Sequence, residues 1–235
     1  MRKTVIAFLV IGLVAASSAF AANAVRISQV YGGGGGGATY TIDYVELFNS
    51  SSSPVVMTGW SIQYGSSTGT AFGSSSTNCA FLPTGATIPA CGYYLIFCGS
   101  SGGSGVPTPF VPDYYGTAGP AMSATAGKVA LVDWATFPTV CPGGPNQSHV
   151  VDQFAFGAST CPENTASVAL TNASTAVRKL GGMTDTDMNL NDFSNPHPAA
   201  TATVAHNSTS GYLNPDCTIV PAQSTTWGKI KTLYR

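Results

Sequence analysis

The densest group of oxygen donors in the chain is Asp185-Thr186-Asp187-Met188-Asn189-Leu190-Asn191-Asp192. Asp185, Asp187, Asn189 and Asp192 can turn carboxylate and amide oxygens around a hard cation, and calcium is the ion that takes such all-oxygen loops. The spacing departs from the EF-hand, because Leu190 stands at the sixth position, where the tight turn needs Gly, and no Glu follows at the twelfth. The competing reading is a structural turn in which Asp and Asn side chains accept hydrogen bonds from nearby backbone N–H groups.

Other reactive residue types are scattered. His149, His197 and His206 are far apart in sequence, and His197 lies between two prolines. A Ser–His–Asp hydrolase can assemble from distant positions, but no Gly-x-Ser-x-Gly occurs in a strand–turn–helix setting, and Gly99-Ser100-Ser101-Gly102 sits in a low-complexity stretch. Asp43 and Glu46 are three apart on an alternating segment, hence on opposite faces of a strand. They cannot easily flank one glycosidic bond. The run Gly32 to Gly37 lacks the Lys-Ser/Thr of a phosphate loop and reads as a flexible connection between strands. Four Asn-x-Ser/Thr sequons, at Asn49, Asn146, Asn172 and Asn207, matter only in a glycosylating source. The residues therefore predict no catalytic site.

Charge and export come next. Ten acids stand against nine bases in 235 residues. Two bases, Arg2 and Lys3, precede the uncharged, mostly apolar run Thr4 to Ala16, and Ala19-Phe20-Ala21 offers small residues to a signal peptidase. This is the pattern of a cleaved signal peptide over residues 1–21. The apolar run is shorter than the ~20 residues of a spanning helix. Three further bases, Lys229, Lys231 and Arg235, close the chain, so the body carries four bases against all ten acids. Such a body has no basic face for phosphates, which speaks against direct nucleic-acid binding.

Export gives the six cysteines a meaning, since thiols pair in oxidising compartments. Cys141 with Cys161 is the expected bridge, because the two bracket one strand-bearing segment. Cys79 with Cys91 or Cys98 is the second expectation, and Cys217 either closes onto the core or stays free. No Cys-x-x-Cys suggests zinc.

The elements that must position these residues are short strands. Val25 to Tyr31 alternates apolar and polar residues, the period of a half-buried strand. Tyr40 to Phe48 alternates again, with Tyr40, Ile42, Tyr44 and Glu46 on one face and Asp43, Val45 and Leu47 on the other. Pro54 to Tyr64 reads as a strand pair with Gly59 at the bend. GYYLIFC (92–98), GKVALVD (127–133), HVVDQFAF (149–156) and AVRKL (176–180) follow, separated by stretches rich in Gly, Pro, Ser and Thr. Sustained helical periodicity is absent. Many short strands with frequent turns predict an all-β sandwich or barrel. Trp60, after Gly59 on an alternating strand, is expected in the core, where it can bury up to ~200 Å². Residues 199–224, rich in Ala, Thr, Ser, Asn and Pro, read as a linker. Residues 225–235 place Trp227, Ile230, Leu233 and Tyr234 among the terminal bases. This tail is either a final packing element or a recognition tag for surface sorting.

The run Asp43-Tyr44-Val45-Glu46-Leu47-Phe48-Asn49, a Ser-rich turn, and Met57-Thr58-Gly59-Trp60-Ser61-Ile62 together resemble the lamin tail domain, with Met57 where Leu is usual. The bacterial secreted branch of that family is closer still. Its opening strand and Gly-rich sequence resemble Val25 to Gly37, its middle Met122 to Val132, and its end Val151 to Gly157 and Arg178 to Phe193. The resemblance runs over residues 25–198 and implies an immunoglobulin-like antiparallel β-sandwich with long Gly/Ser/Pro-rich loops, occupying residues 22–198. The family often has Cys where Met183 stands, so its usual pairing does not carry over there. The segment Ser74 to Cys98, with three cysteines, is particular to this chain.

The resemblance also implies a binding or structural module more than an enzyme. In bacteria such domains often stand beside secreted nucleases or phosphatases on one chain. The expected function is a non-catalytic exported module, secreted or at the cell surface, whose partner is a surface, a glycan or a protein. Its skin is expected to be uncharged, with Tyr and Phe on strand faces. Two alternatives remain: an accessory module of a secreted hydrolase, and a calcium-dependent adhesion module.

Overall fold

The computed structural model describes residues 24–33, 37–73, 76–99, 105–116, 119–134, 149–199, 205–210 and 217. The expected signal segment, Cys141 and the terminal tail lie outside the described residues.

Among the described residues twelve strands follow in chain order: β1 (Val25–Tyr31), β2 (Tyr44–Asn49), β3 (Val55–Val56), β4 (Ser61–Ser66), β5 (Cys79–Phe81), β6 (Thr87–Ile88), β7 (Tyr93–Phe97), β8 (Tyr114–Tyr115), β9 (Gly127–Val132), β10 (Val150–Phe156), β11 (Ser174–Arg178) and β12 (Phe193–Pro198). A single helical turn, α1 (Asn189–Asp192), precedes β12. A six-stranded sheet has the order β12-β11-β1-β2-β7-β8 and a four-stranded sheet the order β10-β9-β4-β5, with β3 and β6 paired apart. All strand pairs are antiparallel except β7 with β8. The architecture is an immunoglobulin-like β-sandwich.

Period-2 alternation decides which side chains fill it. Val45 and Leu47 of β2, Tyr94 and Ile96 of β7, Ile62 and Tyr64 of β4, Val129 and Leu131 of β9, and Phe154 and Phe156 of β10 meet between the sheets. Trp60 joins them at 8% exposure, as expected. Gly59 supplies the positive φ of 77° that the preceding bend needs. At Gly182, also at positive φ, a Cβ would lie 2.7 Å from the Cβ of Phe48, so only Gly fits. Each fully buried large side chain stabilises the fold by roughly 1.5–3 kcal/mol.

The outer face of the six-stranded sheet is also covered. Tyr31, Tyr44, Leu95 and Phe97 point away from the core and pack with Tyr40, Ile42, Phe110, Ala199 and Ala205. Here the structure departs from the expected open strand faces: segments 37–42, 105–113 and 205–210 fold back over these rings. Tyr115, at the sheet edge, stays half-exposed.

Within residues 199–224, Ala199, Ala205 and Cys217 are buried against the body. One further expectation is corrected. Cys217 is bonded to Cys91 with a Cα–Cα distance of 4.9 Å. Cys79 is therefore not paired with Cys91 or Cys98, and both Cys79 and Cys98 are free and buried. The reason is topological: Cys79 opens β5 in the four-stranded sheet, whereas Cys91 and Cys98 flank β7 in the other, with Cys98 turned into the core. Cys161 is disulfide-bonded as well; Cys141, its expected partner, lies outside the described residues.

Candidate functional site

Among the described residues, half of the buried charged side chains, Asp152, Arg178 and Asp192, gather at one edge of the sandwich. β11 pairs with β1 only at Val30 and Gln29, which leaves Ile27 without a backbone partner on that side. Asp152 and Arg178 supply one. Asp152 Oδ2 accepts the Ile27 N–H at 2.6 Å, and Arg178 Nε donates to the Ile27 carbonyl at 2.7 Å. Arg178 Nη2 donates to the same Asp152 oxygen at 2.6 Å, and Nη1 donates to Thr184 O at 3.0 Å. The guanidinium lies over the Phe193 ring, 4.6 Å from its centroid. Asp152 belongs to β10 and Ile27 to β1, so this pair ties the two sheets together. Burial pushes the Asp152 carboxyl up, against the pull of Arg178.

The acidic turn wraps around this pair. Asp192 is fully buried. Its Oδ1 accepts from Thr186 N at 2.9 Å and Thr186 Oγ1 at 2.7 Å, and its Oδ2 from Met188 N at 3.3 Å. Asp185 pairs with Arg26 at 2.9 Å, and Arg178 Nη1 lies 3.6 Å from Asp185 and 3.7 Å from Asp192. Asn189, offered by the sequence as a cation ligand, instead behaves like a neighbouring strand. Its Oδ1 accepts the Ala155 N–H at 2.9 Å and its Nδ2 donates to Gln153 O at 3.0 Å, which closes the outer edge of β10. Asp187 is exposed at φ 53°.

Of the four expected calcium ligands, the fold thus brings together Asp185 and Asp192. Glu163 joins them, with one oxygen from each residue within 4.8 Å of the others. Glu163 accepts from Asn189 Nδ2 at 3.0 Å. Burial, then the nearby Asp152 charge, pushes its carboxyl up to about 8. Among the described residues these three could hold a cation, but the Arg178 and Arg26 guanidinium groups already stand beside them. Sequence reading missed Glu163, Asp152 and Arg178. For Asp152 and Arg178 the available signal was a single charged residue on each of the strands VVDQFAF and STAVR.

A second polar cluster lies on the outer face. Glu46, 1% exposed, accepts from Ser28 Oγ at 2.6 Å and Gln29 Nε2 at 3.2 Å. The His206 backbone N–H donates to Glu46 Oε2, His206 Nδ1 lies 3.2 Å from it, and the imidazole stacks on Tyr93 at 4.6 Å. Beside them opens a cleft of about 320 Å³, bordered by Glu46, Tyr93, Lys179, Gly181, Ser194 and His206. Asp43 points to the opposite face, as expected, and accepts the Met122 N–H at 2.6 Å.

The three histidines sit in three places. His149 Nδ1 lies 2.8 Å from Asp133 Oδ1, and His197 Nε2 lies 2.9 Å from Ser194 Oγ. Lys128 is buried and donates to Ser66 O, Gly69 O and Thr160 Oγ1, where burial lowers its pKa. Throughout, the ionised groups hold strands and loops in place. Among the described residues no helix is long and apolar enough to cross a membrane.

A two-sheet sandwich whose buried charges stitch its own edges defines a binding or structural module of immunoglobulin type. The chain belongs to the lamin tail domain family, whose model matches residues 18–158, more than half of its length. β11, α1 and β12 lie beyond the matched stretch. No curated protein matches the chain.

Proposed function

We propose that this chain is an exported, non-catalytic module that acts as a binding or structural unit, secreted or at the cell surface. The observation that carries the reading is the inward use of its polar chemistry: Asp43, Asp152, Asp192 and Glu46 are each engaged by donors from the fold itself. Such groups fix loops and edges. The outer skin is then left to neutral Ser, Thr, Asn and Gly, which suits a glycan, a surface or another protein more than nucleic acid. Membership of the lamin tail family supports the module, and the bonded Cys91 and Cys217 support an oxidising compartment.

The test is localisation with redox state. The full chain is expressed with its first 21 residues, fractions are separated, and free thiols are alkylated before electrophoresis. Exported protein with Cys91 and Cys217 protected is the expected result; cytoplasmic protein with both thiols labelled would overturn the reading. In parallel, residues 225–235 are fused to a neutral exported reporter. Retention on the surface assigns sorting to the tail, and free secretion reduces it to a packing element.

A further inference from the structure

The segment 205–210 crosses the outer face of the six-stranded sheet with one small apolar side chain, Ala205, buried beneath it. The His206 imidazole also stacks on Tyr93 at 4.6 Å, and the rest of the segment's hold is polar. His206 donates to Glu46, Asn207 Nδ2 donates to Val111 O at 2.9 Å, and Ser208 N donates to Asp113 Oδ2 at 2.9 Å. Both carboxylates keep partners from the body if the segment leaves: Glu46 keeps Ser28 and Gln29, and Asp113 keeps the Leu95 N–H at 2.8 Å. Departure therefore leaves neither charge bare, and the body has no polar reason to hold the segment at all cost. The bonds from His206 and Ser208 end on carboxylates and hold more strongly than neutral ones, yet each is still exchanged for water on release. Six ordered residues lose backbone freedom of comparable size.

We propose that the Cys91–Cys217 bond is a latch that decides whether this strap stays closed over the sheet. With the bond formed, the strap is pinned at both ends, after β12 at Ala199 and at Cys217, and docking costs little further entropy. With the bond open, the strap swings on one end. The outer cluster of Tyr31, Tyr44, Leu95 and Phe97 loses one cover, and the cleft beside Glu46 loses its His206 wall. Closure is an oxidation. Two thiols give up two electrons and two protons to a disulfide-bearing oxidant, which leaves as two thiols. The fold is thereby completed only where such an oxidant is present, which builds on the export reading but is tested independently of it.

The experiment is amide hydrogen exchange on the purified full chain, wild type against the double variant Cys91→Ser/Cys217→Ser, which leaves the Cys161 bridge intact. The His206 and Ser208 amides are expected to exchange at least about 100-fold faster in the variant, while β2 and β9 keep their protection. A strap equally protected in both proteins would overturn the proposal, because its polar contacts alone would suffice. Loss of protection in β2 and β9 as well would also overturn it, since the bond would then hold the whole sandwich. Glu46→Gln with the disulfide intact is the second variant: its strap is expected to stay protected to within about 10-fold, and a strap released there assigns the latch to Glu46 instead.

Discussion

Arg178→Gln is the sharpest test of the account of the charged edge. In the wild type the guanidinium is fully buried and bonds Asp152 at 2.6 Å, Ile27 O at 2.7 Å and Thr184 O at 3.0 Å. Gln is shorter and neutral, so Asp152 and the buried Asp192 lose their nearest positive charge and the two carbonyls lose their donors. Removing one partner of a buried ion pair costs about 3–5 kcal/mol, and each orphaned carbonyl adds about 1 kcal/mol. The expected loss is roughly 5–7 kcal/mol, a large share of the ~5–15 kcal/mol that holds a typical domain. In urea, with a slope of about 2 kcal/mol/M, the midpoint falls by about 3 M. Fluorescence of the buried Trp60 follows the transition. The deficit is also expected to narrow on acidification. Asp152 already has a raised pKa, and an acid of that kind contributes stability that is fully present below its unfolded pKa and lost as pH rises through its folded one. At acid pH a proton thus takes the place of the missing charge. Arg178→Lys keeps the charge but not the fork and falls between the two. A Gln variant within about 1 kcal/mol of wild type, or a deficit that grows at low pH, refutes the reasoning.

Other outcomes follow from the same geometry. Glu163, raised to about 8 from an ordinary 4.5, makes wild-type stability decline as pH rises across that interval. Glu163→Gln is expected to remove this slope in calorimetry and to be more stable at pH 9 by roughly 1–2 kcal/mol, the figure being reduced for partial exposure. Because Thr186 and Met188 donors fill Asp192 and the guanidinium of Arg178 stands beside it, chelator or added calcium is expected to shift the melting temperature by less than about 2 °C; a larger rise with calcium would restore the cation reading. Burial pushes the Cys79 thiol up to about 12 and Cys98 well above its usual range, so both are expected to alkylate only after unfolding, as mass spectrometry of labelled peptides would show. Trp60→Ala is expected to cost about 3–5 kcal/mol in the same urea assay; an effect near zero would place the ring outside the core.

What the sequence determined by itself is the local alternation. Tyr44 and Glu46 against Val45 and Leu47, the bend at Gly59, and the strands at 93–97, 127–132 and 150–156 all follow from side chains that switch faces every residue, a property that needs no distant partner. It also placed Trp60 inside, because a large apolar ring beside a turn has one favourable destination. Strands β5, β6 and β8 were not legible, being two or three residues long, and β12 was hidden by Pro196 and Pro198, which an edge strand tolerates because one side needs no donor. The tertiary structure alone decided the pairing of Cys91 with Cys217 across 126 residues, the closing of the β10 edge by Asn189, and the meeting of Asp152, Glu163 and Arg178. Each of these depends on which strands lie side by side. Sheet order is set by the packing of two whole faces, so residues far apart in the chain become partners only once those faces have closed.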